Sequence, residues 1–298
     1  MIIMKFGGAS LSTGSEILNS CKIVKIYYKK DKVILVVSAM KDVTDQLFEI
    51  GGILRKRNLN KALERIEKIK IRHIKTLQSF KPNSEAVKAE VEIYKLTGLL
   101  KYFVKNVINK EITTARTDYI VSFGEKLSCR IVAEALEQQG LSAYPLDASF
   151  ILATTNEFGN ALPLYGESQN SIKQILLPLI QNNIIPVITG YIGFADDGCT
   201  TTLGRGGSDL SAAFLANFLN AKAVYLWKDV LGFYEDDPYE NRRAKLFKIL
   251  DYKKAEKLAK KGAKIIYHKA IAPVREKHIP IYIKSFQDPK SAGTTITD

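Results

Sequence analysis

The sequence predicts an α/β protein whose mainly parallel sheet is covered by helices on both faces. Two observations carry this. Short β-rich apolar runs alternate with longer helical patterns along the whole chain. The segments with recognisable chemistry fall at the ends of those runs, where ligands bind in sheets of this kind. With 298 residues, the chain is long enough for a full hydrophobic core, as one large unit or two lobes.

Each element has its own signal. Buried strands are expected at Ile2–Phe6, Lys32–Ser38, Tyr119–Phe123, Ile185–Thr189, Ala223–Trp227 and Ile281–Lys284, which are short, apolar and rich in β-branched or aromatic residues. Helical periodicity is expected over Ser15–Tyr28, Asn60–Ser79, Glu85–Val107, Lys126–Gln139, Ser168–Asn182, Asp209–Leu219 and Tyr252–Lys260. Residues from about 50 to 115 are almost wholly helical and Lys/Glu-rich, and are read as a helical insertion in a first lobe of about 1–161. A second lobe would run from about 162 to 298.

Composition removes several function classes. An apolar fraction of 46% and a charged fraction of 25% are ordinary for a globular protein. No apolar run is long enough to span a bilayer. Met1–Phe6 is too short for a signal segment and breaks at Gly7-Gly8, so a cytoplasmic protein is expected. Cys21, Cys129 and Cys199 are far apart and share no metal spacing with His73, His268 or His278. Reduced thiols and no protein metal site are expected. The formal charge of +13 comes mostly from lysines interleaved with glutamates, not from a basic stripe. A nucleic-acid partner is therefore not expected, while an anionic substrate would be attracted.

Six segments carry chemistry, each with a plainer alternative. Lys5-Phe6-Gly7-Gly8-Ala9-Ser10 follows the first strand. Its glycines let backbone N–H groups approach phosphate oxygens beside the Lys5 cation, or form only a tight turn. No Walker A pattern occurs. Leu203-Gly204-Arg205-Gly206-Gly207-Ser208-Asp209 opens a helix. Arg205 suits a carboxylate, and Asp209 either holds Lys5 over a transferred phosphoryl or caps the helix. Ser38 and Thr44 are hydroxyls around a strand end, suited to a small polar substrate or to local capping. Glu125 follows Val121-Ser122-Phe123-Gly124, and either holds an ammonium group or serves a helix dipole. Trp227-Lys228-Asp229 leads into a turn with Phe233 and Tyr234, which either packs on a base or edges the core. Gly262-Ala263-Lys264 ends a helix with a lysine that is a phosphate cation or surface charge.

In order, K-F-G-G-A-S, V-S-A-M-x-x-V-T, S-F-G-E-K-L-S, V-I-T-G-Y-I-G, L-G-R-G-G-S-D, W-K-D-V-x-G-F-Y-x-x-D-P and G-A-K resemble the aspartate kinase family from Met1 to about Ile296. The resemblance implies a three-layer α/β sandwich with a mainly parallel sheet, the amino-acid-kinase fold. It implies transfer of the ATP γ-phosphoryl to the side-chain carboxylate of L-aspartate, giving 4-phospho-L-aspartate. Lys5 would neutralise the transferring phosphoryl, Gly7, Gly8 and Ala9 would cradle phosphate, and Asp209 would organise Lys5. Arg205 would clamp the substrate carboxylate and Glu125 would face its amino group, with Ser38, Thr44 and Ser208 in the same pocket. Lys228, Asp229, Tyr234 and Lys264 would lie on the nucleotide side. Mg²⁺ would arrive on the ATP phosphates, and catalysis would be positioning and electrostatics without a protein nucleophile. A homodimer is also implied.

The chain departs from the family's pattern in places. Lys228 stands where a small hydroxyl residue is usual, and Tyr239 where an arginine meets the phosphates, with Arg242, Arg243 or Lys228 as replacements for that charge. Tyr267-His268 alters the turn after Gly262-Ala263-Lys264. The chain ends at Asp298, where the family's kinase domain closes, so a kinase without a lysine- or threonine-binding ACT module is expected. Two alternatives stand beside this expectation. One is a kinase of the same fold acting on glutamate, N-acetylglutamate, carbamate or UMP. The other is a catalytically weakened regulatory paralogue.

Overall fold

A computed structural model describes residues 1–80, 84–235, 241, 243–261 and 265–298. The strands are β1 (Ile2–Phe6), β2 (Val33–Val37), β3 (Ala143–Leu146), β4 (Ile185–Thr189), β5 (Ile192–Phe194), β6 (Thr200–Thr202), β7 (Val224–Lys228), β8 (Ile249–Asp251), β9 (Ile281–Ser285) and β10 (Thr294–Thr297). The helices are α1 (Gly14–Tyr28), α2 (Val43–Arg55), α3 (Leu59–Gln78), α4 (Ser84–Val107), α5 (Thr114–Gln138), α6 (Tyr165–Gln181), α7 (Gly207–Phe218), α8 (Tyr252–Lys260) and α9 (Ile271–Arg275).

Eight strands form one sheet in the order β3-β4-β2-β1-β7-β9-β10-β8, and every neighbouring pair is parallel except β9 with β10. β1, β2 and β4 are buried at every position, as strands covered on both faces must be. Their side chains alternate between two cores. Met4, Phe6, Leu35 and Val37 face a layer containing α1 to α5. Ile3, Val36, Val224 and Leu226 face a layer containing α6 to α9. This is the three-layer α/β sandwich with a mainly parallel sheet that the sequence led us to expect. The sheet runs through both halves of the chain, because β4 lies between β3 and β2 while β7 lies beside β1. Among the described residues, no helix is long and apolar enough to cross a membrane.

One strand expectation is corrected. Tyr119–Phe123 is not a strand but the second turn of α5. A five-residue apolar run does not distinguish a strand from a buried helix, and α5 is buried over most of its length. Gly124 suggested a turn, yet it lies inside the helix. A Cβ there would stand 2.8 Å from the Ala39 Cβ, so the glycine lets α5 press against the loop after β2. The helical region also begins earlier and ends later than 50–115, running from α2 through α5. β3, β8, β10 and the β5–β6 hairpin had no usable signal. They are short, and β3 contains Pro145, which an edge strand tolerates.

A buried carboxylate ties α5 to the hairpin. Asp118, 2% exposed, accepts hydrogen bonds from the Gly159 amide (2.7 Å), the Thr202 amide (2.9 Å) and the Thr202 hydroxyl (2.8 Å). Burial pushes its carboxyl up from the ordinary value, and the three hydrogen bonds oppose that shift. Asp118→Ala would leave these donors without their partner at a cost of about 2–4 kcal/mol. Urea unfolding should show the midpoint falling with an unchanged slope. A loss below about 0.5 kcal/mol would mean that this carboxylate does not hold the hairpin.

Candidate active site

The site follows from the two-residue alternation of the strands. Ile3 and Lys5 share a face of β1, Val36 leads to Ser38 on the same face of β2, and Leu226 leads to Lys228 on β7. β2, β1 and β7 are adjacent and parallel, so these three side chains emerge together at the carboxyl edge of the sheet. The N-terminus of α7 is set above them.

The α7 start depends on close approach. Gly206 takes a left-handed φ of 78° and is the N-cap, with no side-chain capping hydrogen bond. A Cβ on Gly206 would meet the Tyr267 Cβ at 2.5 Å, and one on Gly190 would meet the Ser208 Cβ at 2.7 Å. Ser208 and Asp209 therefore sit inside the first turn and are not caps. The Ser38 hydroxyl donates to the Ser208 hydroxyl at 3.0 Å.

Asp209, 4% exposed, is held by two ammonium groups. Lys5 Nζ lies 2.9 Å from Oδ1, while Lys228 Nζ lies 2.9 Å from Oδ2 and 3.2 Å from Oδ1. Burial alone would raise this carboxyl, but the charges of Lys228 and Lys5 outweigh it and hold the group below the usual carboxylate range. Burial lowers Lys228 from the ordinary lysine value, and attraction to Asp209 opposes that.

Glu125 approaches from the other layer. It lies in the middle of α5 and serves no helix terminus. Oε1 accepts the Ala39 amide at 3.1 Å, while Oε2 is buried without a partner among the described residues. Burial pushes its carboxyl up to about 8, against the Ala39 hydrogen bond and the Lys5 charge. The Ser128 hydroxyl donates to the Ser38 carbonyl at 2.5 Å, fastening α5 to the same loop.

One cleft of about 1110 Å³ is lined by Lys5, Gly8, Ser38, Thr44, Glu125, Arg205, Ser208, Asp209 and Lys228. Arg205 is exposed and makes no ion pair among the described residues. Thr44 is half-buried in the first turn of α2, whose N-cap is Asp42, so neither Thr44 nor Ser38 is spent on capping.

Four other expected residues do not line the cleft. Gly7 stands beside Lys5, where a Cβ would come 3.5 Å from Lys5 Nζ. Ala9 packs against the α1–α5 core, Asp229 is exposed beyond β7, and Tyr234 bridges to Leu246. Lys264, Tyr239 and Arg242 lie outside the described residues.

Sequence reasoning gave no role to Tyr191, which lines the cleft with a left-handed φ of 71° and whose amide donates to Ser211 Oγ at 3.0 Å. The signal was its place in V-I-T-G-Y-I-G, since strained backbone concentrates at functional sites. Chemically, the cleft offers two ammonium groups for an anion at one end. The same cleft is lined by Glu125, with one buried carboxylate oxygen unpaired among the described residues, and by the Arg205 guanidinium.

The chain resembles known proteins along its whole length. It is 32% identical to aspartokinase 1, chloroplastic, of Arabidopsis thaliana over 299 residues, which cover 99% of this chain and 52% of the relative. It is 30% identical to lysine-sensitive aspartokinase 3 of Escherichia coli, covering 99% of this chain and 64% of the relative. The crystal structure of E. coli aspartokinase III in complex with aspartate and ADP superposes with a TM-score of 0.90 at 29% identity, over 100% of this chain and 64% of that one. Uridylate kinase from Archaeoglobus fulgidus, at 16% identity, shares the fold with a TM-score of 0.56. The chain thus spans about half the length of aspartokinases 1, 2 and 3 of Arabidopsis thaliana. The amino acid kinase family model matches residues 1–285, and with this cleft at the carboxyl edge of its sheet the chain belongs to the amino acid kinase family.

Proposed function

We propose that this chain is an ATP-dependent phosphotransferase that passes the γ-phosphoryl group to the side-chain carboxylate of L-aspartate, giving 4-phospho-L-aspartate. The observation that carries the proposal is that one cleft holds both ends of such a reaction. The Lys5–Asp209 pair lies beside Glu125, whose Oε2 is unpaired, and Arg205, which makes no ion pair among the described residues. Aspartate and ADP bound to the E. coli relative support the same pairing of ligands.

The roles follow from charge. The Lys5 ammonium, fixed by Asp209, neutralises negative charge on the phosphoryl as it leaves the β-phosphate oxygen and meets the attacking carboxylate oxygen. Arg205 takes the substrate's α-carboxylate in its bidentate fork. Glu125 Oε2 accepts from the substrate ammonium, and Ser38, Ser208 and Thr44 supply hydroxyls along the pocket. The cleft's own side chains act by holding and orienting, so the rate comes from alignment and charge. An N-acetylated amine could offer Glu125 no ammonium, which favours a free amino acid over N-acetylglutamate or UMP.

Mg²⁺ is proposed to arrive on the nucleotide. Among the described residues, no group of three or more His, Cys, Asp or Glu side chains gathers to hold a metal. Asp209, the buried carboxylate beside Lys5, is taken by two lysines. Bound to the phosphates, the ion would spread their negative charge. On this proposal the first half of the chain supplies Ser38, Thr44 and Glu125 to the amino-acid end, the second half adds Arg205 and Ser208 there, and the nucleotide end lies over the second half.

ADP release from MgATP should be measured across L-aspartate, L-glutamate, N-acetyl-L-glutamate and UMP. Turnover is expected on L-aspartate and should fall by roughly a hundredfold or more in Lys5→Ala. Turnover on another substrate would discard the aspartate assignment. ATP binding without turnover on any would favour the weakened paralogue.

A pH dependence follows from Glu125. Its carboxyl titrates at about 8 in the free cleft, so near neutral pH it is mostly protonated and must lose that proton to hold an ammonium group. The KM for L-aspartate should therefore fall as pH rises from 6 to about 8 and then level, while the KM for MgATP does not follow. Glu125→Gln should raise and flatten the L-aspartate profile. It should also raise the thermal midpoint above pH 8, where the native carboxylate is buried and charged, and have less effect near pH 5. A wild-type profile with no such slope would remove Glu125 from the ammonium site.

A further inference from the structure

Two ammonium groups share one carboxylate in this cleft, and one would suffice to neutralise it. Lys5 and Lys228 both reach Asp209, so the buried trio carries one positive charge that no described ion pair cancels. Uncompensated charge at such a position is costly unless an anion arrives to balance it. Each ammonium has three donors, and their described hydrogen bonds and ion pairs go only to Asp209. Both lysines line the cleft.

The backbone under Lys228 is fixed. Trp227, the preceding residue, is fully buried on the opposite face of β7 and stacks on Phe6 with ring centroids 5.9 Å apart. Phe6 pairs with Trp227 in the ladder, and Lys228 pairs with Ser285 of β9. Lys228 is thus held from both neighbouring strands, with its side chain on the α7 side.

The order of strands says which ligand it meets. Glu125 is fastened to the loop after β2 through the Ala39 amide, and Ser38 ends the same strand, so the amino-acid end lies over β2. Lys5 stands on β1, the next strand. Lys228 stands on β7, one strand further from that end. A phosphoryl group passing above Lys5 places the rest of its donor over β7.

We propose that Lys228 is a second phosphate-binding cation of the cleft, sharing Asp209 with Lys5 and gripping the nucleotide's phosphate tail and not the amino acid. This rests on the phosphotransferase reading above.

The test is calorimetric titration of MgADP and MgATP into wild type, Lys228→Met and Lys228→Arg without amino acid, together with steady-state KM values. Lys228→Met should weaken both nucleotides by roughly tenfold or more, the loss of a charge-assisted hydrogen bond. The KM for L-aspartate should stay within about twofold, because the lost interaction is made with the other ligand. Lys228→Arg should recover most of the nucleotide affinity. Thermal midpoints check folding, and if Lys228→Met does not fold, Lys228→Gln reads the same split. Equal nucleotide binding by wild type and the charge-removed variant overturns this inference alone, as does a loss that falls on L-aspartate. Failure of the wild type to bind either nucleotide overturns the inference and the phosphotransferase reading together.

Discussion

A buried carboxylate between two lysines is the contact on which the architecture of this cleft depends. Asp209 stands there with its oxygens against ammonium groups from two different strands. Without them, a charge at 4% exposure would carry a desolvation cost of several kcal/mol. The contact constrains the backbone as well. β1 and β7 must be neighbours and parallel, in the register that brings Lys5 and Lys228 out on one face, and α7 must begin directly above them. The glycines around α7 serve that approach. Gly190 leaves room for Ser208 and Gly206 for Tyr267, so the helix settles close enough for its third residue to reach the sheet.

The same economy appears on the opposite layer. α5 carries Glu125 on its flank, and Gly124 beside it lets the helix touch the loop after β2. Burial that leaves one oxygen of this carboxylate unpaired costs stability, as buried polar groups without partners do. On the proposed reading, the open oxygen is kept for a cationic ligand. Asp118, about two turns earlier on the same helix, is satisfied three times over and anchors Gly159 and Thr202. Two buried acids on one helix thus have opposite assignments, one closed by its hydrogen bonds and one left open.

Much of this was legible in the sequence, for a physical reason. Continuous apolar runs such as Ile2–Phe6 and Ile185–Thr189 announce strands covered on both faces, and Tyr252–Lys260 announces its helix by period alone. Lys5 and Asp209 were readable as partners because a cation after a strand and an acid at a helix start have few other joint uses. What stayed hidden depended on register or packing. Lys228 on Asp209 required knowing that β7 lies beside β1. Tyr119–Phe123 looked like a strand because five apolar residues fit either element, and the burial of α5 on nearly all sides removed the usual polar stripe. Tyr191 and Asp118 act through backbone conformation and buried hydrogen bonds, which leave little mark on composition.

The interleaving of the sheet has a mechanical consequence. Strands from the two halves of the chain share one sheet, with β4 placed inside the first-half set and β7 against β1. A hinge between halves would have to break ladder hydrogen bonds, so opening and closing falls to loops and to the helical covers. The spacing between the β2 and β7 ends of the cleft is accordingly as stiff as the ladder itself. For the same reason, cutting the chain near residue 161 would separate fragments that each expose unpaired strand edges, and neither would be a free-standing unit.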